Sequence, residues 1–210
     1  DSLSSSSSDL DYSINLRIVN PTTPCQYFHV LRRQMLSPVR KPLIVVAPKG
    51  LLRHSDVVSS MAEMGTGARF SPVLDDSSIQ QQQQQQQVTT IIFCSGKIFY
   101  DLKSKRAEHN LEASVAIVRI EQLSPFPYKE IQQIYDKYGN ITKTVWAQEE
   151  PENMGFWTYV SPRWSRYVSS SSIQLKYCGR QASHVTAVGV GKEHQKEAEN
   201  VFKSVFDFVK

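Results

Sequence analysis

The chain has 210 residues, of which 40% are hydrophobic and 21% charged, so it can bury a sizeable core and is not wholly disordered. Its 24 Lys and Arg against 20 Asp and Glu residues give a net charge of +4, too small to indicate nucleic acid or an anionic membrane as partner. Cys25, Cys94 and Cys178 are widely spaced, which favours a reducing intracellular compartment over a disulfide-linked secreted fold. No stretch approaches the ~20 apolar residues of a membrane helix.

The start of the chain is rich in Ser and Asp. Residues 1–14 have almost nothing to bury, and we expect them to form a flexible lead-in. Because the chain does not begin with Met, we expect it to be processed or truncated.

Strand and helix signals begin after the lead-in. Residues 16–19 read as a short strand, and Thr23-Pro24 is typical of a helix start, with Thr23 as cap and Pro24 at the first helical position. This helix should end before Pro38. Residues 43–47 form a continuous apolar run, which predicts a strand buried on both faces in a parallel sheet.

A boundary is predicted near the middle of the chain. Residues 55–64 are expected to form a second short helix. Residues 75–89 include eight consecutive glutamines and read as a linker, because a polar tract does not offset the entropy of ordering it. A tolerated loop expansion explains this tract better than a self-association element does.

Strands and helices then alternate regularly, which predicts a doubly wound α/β domain with a mainly parallel sheet over residues 90–210. Right-handed crossovers place the carboxyl ends of the strands on one edge, where a ligand would bind. The predicted strands are residues 90–94, 114–120, 142–147 and 173–177, and the predicted helices are 97–107, 128–138, 154–168 and 192–209.

Two basic groups follow the ends of predicted strands and are candidates for binding an anion. Ser95, Gly96 and Lys97 join a strand to a helix and offer N–H groups, a hydroxyl and an ammonium group. Ser95 as a helix cap and Gly96 as a turn residue is the simpler alternative. The second basic group comprises Lys49 and Arg53, which follow the strand at residues 43–47, and Arg32 and Arg33, which lie one helix earlier. For Arg32 and Arg33 taken alone, a solvated helix face is the favoured interpretation.

Other chemistry is poorly supported by the sequence. Glu149 and Glu150 are adjacent after a strand, but neighbours at a strand end point in different directions, and pairing with Arg163 or Arg166 is favoured over acid–base catalysis. The histidines show no metal-ligand spacing, and no Gly-x-Ser-x-Gly nucleophile motif occurs. We therefore predict no catalytic residue and no metal ligand in this chain.

Several blocks of residues occur in the same order as in one enzyme family. Three of them are residues 23–34 (TPCQYFHVLRRQ), 119–123 (RIEQL) and 148–151 (QEEP). With these blocks the chain resembles the C-terminal region of the thiamine-diphosphate-dependent first component of 2-oxoglutarate dehydrogenase, a transketolase-like enzyme. The other blocks are residues 40–43, 48–49, 51–54, 94–97, 100–102, 125–127, 153–155, 177, 179–180 and 194–196.

The resemblance implies an oxidoreductase of the tricarboxylic acid cycle, in the mitochondrial matrix or, in bacteria, the cytoplasm. The complete enzyme would use thiamine diphosphate and Mg²⁺, form a homodimer, and pass a succinyl group to the lipoyl group of a dihydrolipoyl succinyltransferase. Some members also bind a nucleotide or acetyl-coenzyme A as effector.

The resemblance also implies how the chain is divided. Residues 15–74 would be the tail of the pyrimidine-binding domain, and residues 90–210 the C-terminal domain. The family's pyrophosphate- and metal-binding domain is absent, so we expect no cofactor binding and no decarboxylase activity from this segment alone. The alternatives are a 2-oxoadipate dehydrogenase, or a non-catalytic nucleotide-binding, coenzyme A-binding or dimerisation module.

Overall fold

A computed structural model describes residues 14–79, 82–168 and 173–210. Apart from residue 14, the predicted lead-in lies outside these residues, as do residues 80 and 81 of the glutamine tract. Within the described part, no helix is both long and apolar enough to cross a bilayer. The elements in chain order are β1 (Arg17–Val19), α1 (Pro24–Leu36), β2 (Leu43–Val45), β3 (Val73–Leu74), α2 (Gln82–Gln87), β4 (Thr90–Cys94), α3 (Ile98–Glu108), β5 (Val115–Ile120), β6 (Gln122–Ser124), α4 (Tyr128–Tyr138), β7 (Lys143–Pro151), α5 (Trp157–Tyr167), β8 (Leu175–Arg180) and α6 (Gly191–Val209).

The strands form two sheets. The larger has the order β3-β5-β4-β7-β8, in which β3 is antiparallel and the other four strands are parallel. The smaller has the order β2-β1-β6, with β1 parallel to β2 and antiparallel to β6. Because β6 follows directly after β5, the smaller sheet is built from two parts of the chain that lie far apart in sequence.

The larger sheet carries helices on both faces. Alternate residues of β4 point to opposite sides, so Ile91 and Phe93 pack with residues of α4 and α5, whereas Ile92 and Cys94 pack with residues of α3 and α6. All four side chains are completely buried. The predicted doubly wound, mainly parallel α/β architecture is confirmed.

The first helix begins and ends where the sequence predicts. Thr23 caps α1 by accepting a hydrogen bond from the backbone N–H of Gln26 at 3.3 Å, and Pro24 occupies the first turn. The next strand differs from prediction in its burial. Ile44 at the centre of β2 is 48% exposed, so β2 is parallel to β1, as expected, but it lies at a sheet edge and is not buried on both faces.

The predicted helix at residues 55–64 is wrong. The structure has only short 3₁₀ turns at Lys49–Arg53 and Ala62–Met64 in this region. Val58 and Met61 are 71% and 83% exposed, so no apolar face packs here to stabilise a helix. The carboxylate of Glu63 instead accepts hydrogen bonds from Ser60.

The glutamine-rich segment is more ordered than its composition suggests. Residues Gln82–Gln87 form α2, and the flanking side chains of Ile79 and Val88 are buried in the core of the larger sheet. The structure thus has a helix in this segment that the sequence does not predict, and the interpretation of residues 75–89 as a linker stays a prediction. The division of the chain into domains at residues 75–89 stays a prediction.

Candidate functional site

A cleft of about 280 Å³ lies at the carboxyl edge of the larger sheet, between the N-terminal ends of α3 and α6. Residues at or near the ends of β4, β7 and β8 reach it, as the connection rules for parallel sheets predict. Its polar lining consists of Lys97, Asp101, Glu149, Arg180 and His194.

Lys97 is held by carboxylates in this cleft. Its Nζ atom donates to Glu149 at 2.7 Å and to Asp101 at 3.5 Å. Partial burial opposes the charged form, but the two carboxylates raise the pKa of Lys97 above its ordinary value. Lys97 is thus a charged ammonium group whose charge is already balanced, and an added anion would have to displace Glu149.

Ser95 and Gly96 serve the backbone rather than the cleft. The Ser95 hydroxyl donates to the backbone carbonyl of Ile120 at 2.9 Å and does not cap the helix, since Lys97 precedes α3. Gly96 has a φ of +80°, and a Cβ atom there would lie 2.5 Å from Nδ2 of Asn20. A glycine is therefore required by both backbone conformation and space.

Arg180 is one of the cleft residues that the sequence did not identify as site candidates; Asp101 and His194 are others. Its side chain is only 10% exposed; Nη1 lies 3.2 Å from the Glu197 carboxylate and Nη2 lies 3.3 Å from Nδ1 of His194. Applying the carboxyl-edge rule to the end of every predicted strand would have identified Arg180 and Glu149 together. Glu149 pairs with Lys97, so its predicted pairing with Arg163 or Arg166 is wrong.

The remaining candidates fall into two places. Lys49 and Arg53 bound the 3₁₀ turn beside the cleft, where a Cβ atom on Gly50 would lie 3.6 Å from Cδ of Lys97. Arg32 and Arg33 lie elsewhere, in a pocket described next. The structure therefore brings the turn that contains Lys49 and Arg53 near Lys97 but does not bring all seven candidates together.

The second place is a pocket of about 340 Å³ beside α1, which we call the arginine pocket; it is lined by His29, Arg32, Arg33, Leu36, Ser37, Arg69 and Phe70. Arg32 donates to the backbone carbonyl of Ala68 at 3.2 Å, and the Arg33 guanidinium lies 4.3 Å from the centre of the Phe70 ring. Three guanidinium groups and no carboxylate line this pocket. Its charge is therefore suited to an anion.

The described residues do not fit a bound Mg²⁺ ion. Across residues 14–79, 82–168 and 173–210, no three His, Cys, Asp or Glu side chains are grouped so that they could hold a metal ion. These residues therefore do not provide the carboxylate ligands that a magnesium diphosphate group requires.

A match to a protein-family model shows which family the chain belongs to. The family model for the 2-oxoglutarate dehydrogenase C-terminal domain matches residues 58–206, more than half of the chain. The chain belongs to this family. The resemblance seen in the sequence blocks is confirmed.

Curated relatives of this 2-oxoglutarate dehydrogenase C-terminal family member are similar over almost its whole length. A probable 2-oxoadipate dehydrogenase complex component E1 homologue of Dictyostelium discoideum is 42% identical over 95% of the chain and 22% of that protein. The human 2-oxoadipate dehydrogenase complex component E1 is 43% identical over 92% and 20%. The 2-oxoglutarate dehydrogenase E1 component of Azotobacter vinelandii is 40% identical over 91% and 20%. The chain spans about a fifth of the length of these relatives.

A solved structure shares the fold. It is described as "split gene transketolase, inactive beta4 tetramer", and it superposes with a TM-score of 0.59 over 92% of this chain and 57% of that chain, at 13% sequence identity. The predicted transketolase-like α/β fold is confirmed.

Proposed function

We propose that this chain is the C-terminal portion of the first component of a 2-oxoglutarate dehydrogenase complex, an oxidoreductase that decarboxylates 2-oxoglutarate in the tricarboxylic acid cycle. The observation that carries the proposal is the family match over residues 58–206, in a chain that covers about a fifth of its relatives. The complete enzyme uses thiamine diphosphate and Mg²⁺, forms a homodimer and works in the mitochondrial matrix, or in the cytoplasm of a bacterium. Its acyl acceptor is the lipoyl group of a dihydrolipoyl succinyltransferase.

A chimaera tests this proposal. In the Azotobacter vinelandii E1 component, the matching C-terminal part is replaced by residues 15–210 of this chain. We expect the chimaera to turn over 2-oxoglutarate and the same protein without its C-terminal part to be inactive. A chimaera that folds and has the oligomeric state of the parent but no activity would contradict the proposal.

Within that enzyme, we assign an architectural role to this portion. The described residues offer no ligand cluster for Mg²⁺, which supports a cofactor site built by other parts of the enzyme. A groove of about 590 Å³ also lies open between α1 and the turn at Lys49–Arg53, with Leu52 85% exposed. Such an apolar surface is typical of an interface, and we propose that the remaining part of the same enzyme packs against it. Its apolar lining includes Tyr27, Phe28, Leu31, Leu51 and Val57.

The second candidate substrate is 2-oxoadipate. The Dictyostelium and human relatives carry that substrate in their names, at 42% and 43% identity against 40% for the Azotobacter enzyme. A difference of two or three per cent in a non-catalytic portion does not separate two acids that differ by one methylene. Comparing the turnover of both acids by the complete enzyme separates them, with a higher kcat/KM for 2-oxoglutarate expected.

We also propose that this portion binds an anionic effector, either a nucleotide or acetyl-coenzyme A, and that the arginine pocket is its first contact. The lining of the pocket includes three guanidinium groups, those of Arg32, Arg33 and Arg69, and Lys97 in the other cleft is held by Glu149. Calorimetric titration with ATP and with acetyl-coenzyme A tests this. Arg32→Ala should weaken binding about tenfold, as expected for one lost charge-assisted hydrogen bond, while the exposed-site control Lys103→Ala should not.

Lys97→Ala separates the two candidate places. Unchanged binding after Lys97→Ala, with weakened binding after Arg32→Ala, supports the arginine pocket. The reverse pattern places the anion in the cleft at the carboxyl edge. An absence of binding to the parent protein contradicts the effector proposal and leaves the assignment as a dehydrogenase portion untouched.

A further inference from the structure

A buried carboxylate joins the two sheets of this protein. Glu121 lies between β5 and β6 and has no exposed surface, and it faces Thr22, which precedes α1 and is 1% exposed. The backbone N–H of Thr22 donates to Oε2 of Glu121 at 2.8 Å, and the Thr22 hydroxyl donates to Oε1 at 2.5 Å. The backbone carbonyl of Glu121 also accepts the N–H of Asn20 at 2.7 Å. We call this contact the Thr22–Glu121 joint.

Other side chains from the larger sheet and its helices complete the joint. The Tyr100 hydroxyl on α3 donates to the backbone carbonyl of Thr22 at 2.7 Å. Nη1 of Arg119 on β5 donates to the Thr22 hydroxyl at 2.8 Å. Every polar group of Thr22 is thus bonded to a residue of the second part of the chain, so Glu121 is buried because the segment around β1 and α1 covers it.

The charges around Glu121 compensate its carboxylate incompletely. The Arg119 guanidinium lies 3.9 Å from the centre of the Phe99 ring and reaches the carboxylate through the Thr22 hydroxyl. The titratable groups that face it from β4 and α3 are Cys94 and Tyr100, and burial raises the pKa of both, so neither carries a charge near neutral pH. From α1, the facing group is the neutral amide of Gln26.

Desolvation dominates the titration of this carboxyl group. Burial raises the pKa of Glu121 to about 7, although Arg119 and the hydrogen bonds from Thr22 act in the opposite direction. Protonation would reverse one hydrogen bond of the joint and keep the others. A protonated Oε1 donates to the oxygen of the Thr22 hydroxyl, which also accepts from Arg119, and Oε2 still accepts the Thr22 N–H; the Thr22 hydroxyl proton then gives up Oε1 as its acceptor.

We propose that the Thr22–Glu121 joint takes up one proton from solvent when it closes, and that Glu121 carries this proton. In the open state the carboxyl group is hydrated and has its ordinary pKa of 4.5. A carboxyl group whose pKa is higher in the closed state stabilises closure below the open-state value and loses that contribution as pH rises through the closed-state value. The joint should therefore be tightest in mild acid and weaken up to about pH 7.

The experiment compares the full chain with its Glu121→Gln variant, in which the amide mimics the neutral carboxyl group. Hydrogen exchange of the backbone amides of β1 and α1 is measured between pH 5 and pH 8.5, with unfolding in urea alongside. Between pH 5 and 7, the closing equilibrium of the parent should fall by up to tenfold per pH unit and then level off. Glu121→Gln should lack this decrease, and the exposed-site control Glu112→Gln should retain it.

All other ionisable groups are common to the parent and Glu121→Gln, so the difference between these two proteins isolates Glu121. The same pH slope in the parent and in Glu121→Gln overturns the proposal, as does a parent whose protection is independent of pH. If Glu121→Gln does not fold, a carboxyl-carbon NMR titration of the parent decides: a Glu121 titration near its ordinary value of 4.5 overturns the proposal, and one near 7 supports it.

Discussion

Arg106 on α3 is paired with Asp76, which lies between β3 and α2, and both side chains are almost completely buried. The Asp76 carboxylate also accepts the backbone N–H of Ile117 at 2.9 Å and the hydroxyl of Ser78 at 2.6 Å. Ile117 is in β5, next to the central strand β4. The pair therefore fixes the segment that precedes the glutamine tract to the middle of the larger sheet.

Replacing Asp76 should destabilise the protein strongly. Asp76→Asn leaves the Arg106 charge buried without its counter-ion, and we expect the free energy of unfolding to fall by about 3 kcal/mol or more. Asp75→Asn is the matched control. Asp75 pairs with Lys137, both side chains are about 30% exposed, and an asparagine can still accept the hydroxyl of Tyr138, so the loss should stay at about 1 kcal/mol. Urea unfolding at pH 7 measures both changes, and equal losses would contradict this account.

The same pair predicts how acid acts on stability. Burial raises the pKa of Asp76, but the Arg106 charge and the hydrogen bonds from Ser78 and Ile117 outweigh it, so the pKa lies below its ordinary value of 3.8. The stabilisation is therefore present above pH 3.8 and is lost as pH falls through the lower, folded-state value. The difference in unfolding free energy between the parent and Asp76→Asn should be constant from pH 5 to 7 and shrink in stronger acid. A difference that grows in acid would contradict the assignment.

Gly96→Ala tests the close approach between Asn20 and the turn before α3. An alanine there would adopt an unfavourable positive φ and place its Cβ 2.5 Å from Nδ2 of Asn20. We expect a loss of about 2–3 kcal/mol in unfolding free energy, from backbone strain and the displaced Asn20. Gly67→Ala is the control, since Gly67 has a φ of +89° but open space around its Cβ position. Its loss should be about 1 kcal/mol. If both variants lose the same stability, the collision with Asn20 has no effect.

Limited proteolysis tests how the two parts of the chain hold together. A cut within residues 80–87 should leave a stable C-terminal piece, because the larger sheet and its helices have their own core. The N-terminal piece should nevertheless stay bound, since β1 pairs with β6 and β3 pairs with β5. Gel filtration of the cut protein should show one peak that contains both pieces, whereas separation without denaturant would contradict this prediction.

The alternation of strands and helices in the sequence predicts most of the larger sheet, because β4, β5 and β7 each contain a buried apolar run. A helix follows β4 and β7 as the next element, and follows β5 after the short strand β6. Two strands cannot be predicted in this way. β3 and β6 have two and three residues and form only because β5 and β1 offer them an edge, which no local pattern reveals. The helix predicted at residues 55–64 fails for the opposite reason: its apolar residues have no surface to pack against.

The sequence predicts where residues of the candidate site lie in the fold, but it does not predict which side chains they pair with. Lys97 was identified from its place after a strand, and the structure confirms that place. That its charge is balanced by Glu149, 52 residues away, depends on the neighbouring positions of β4 and β7 in the sheet. Arg69 lies beside Arg32 and Arg33 because an irregular segment of the chain brings it there. The sequence spacing of these three residues therefore does not predict the arginine pocket.

The most direct test of the central claim is the thiamine-dependent release of CO₂ from 2-oxoglutarate by the isolated 210-residue chain, with thiamine diphosphate and Mg²⁺ supplied. The Azotobacter vinelandii E1 component serves as the positive control under the same conditions. We expect the isolated chain to release no CO₂ above a protein-free blank. Clear cofactor-dependent turnover by this chain alone would show that it contains a complete active site, which would contradict its assignment as a non-catalytic portion of a larger enzyme.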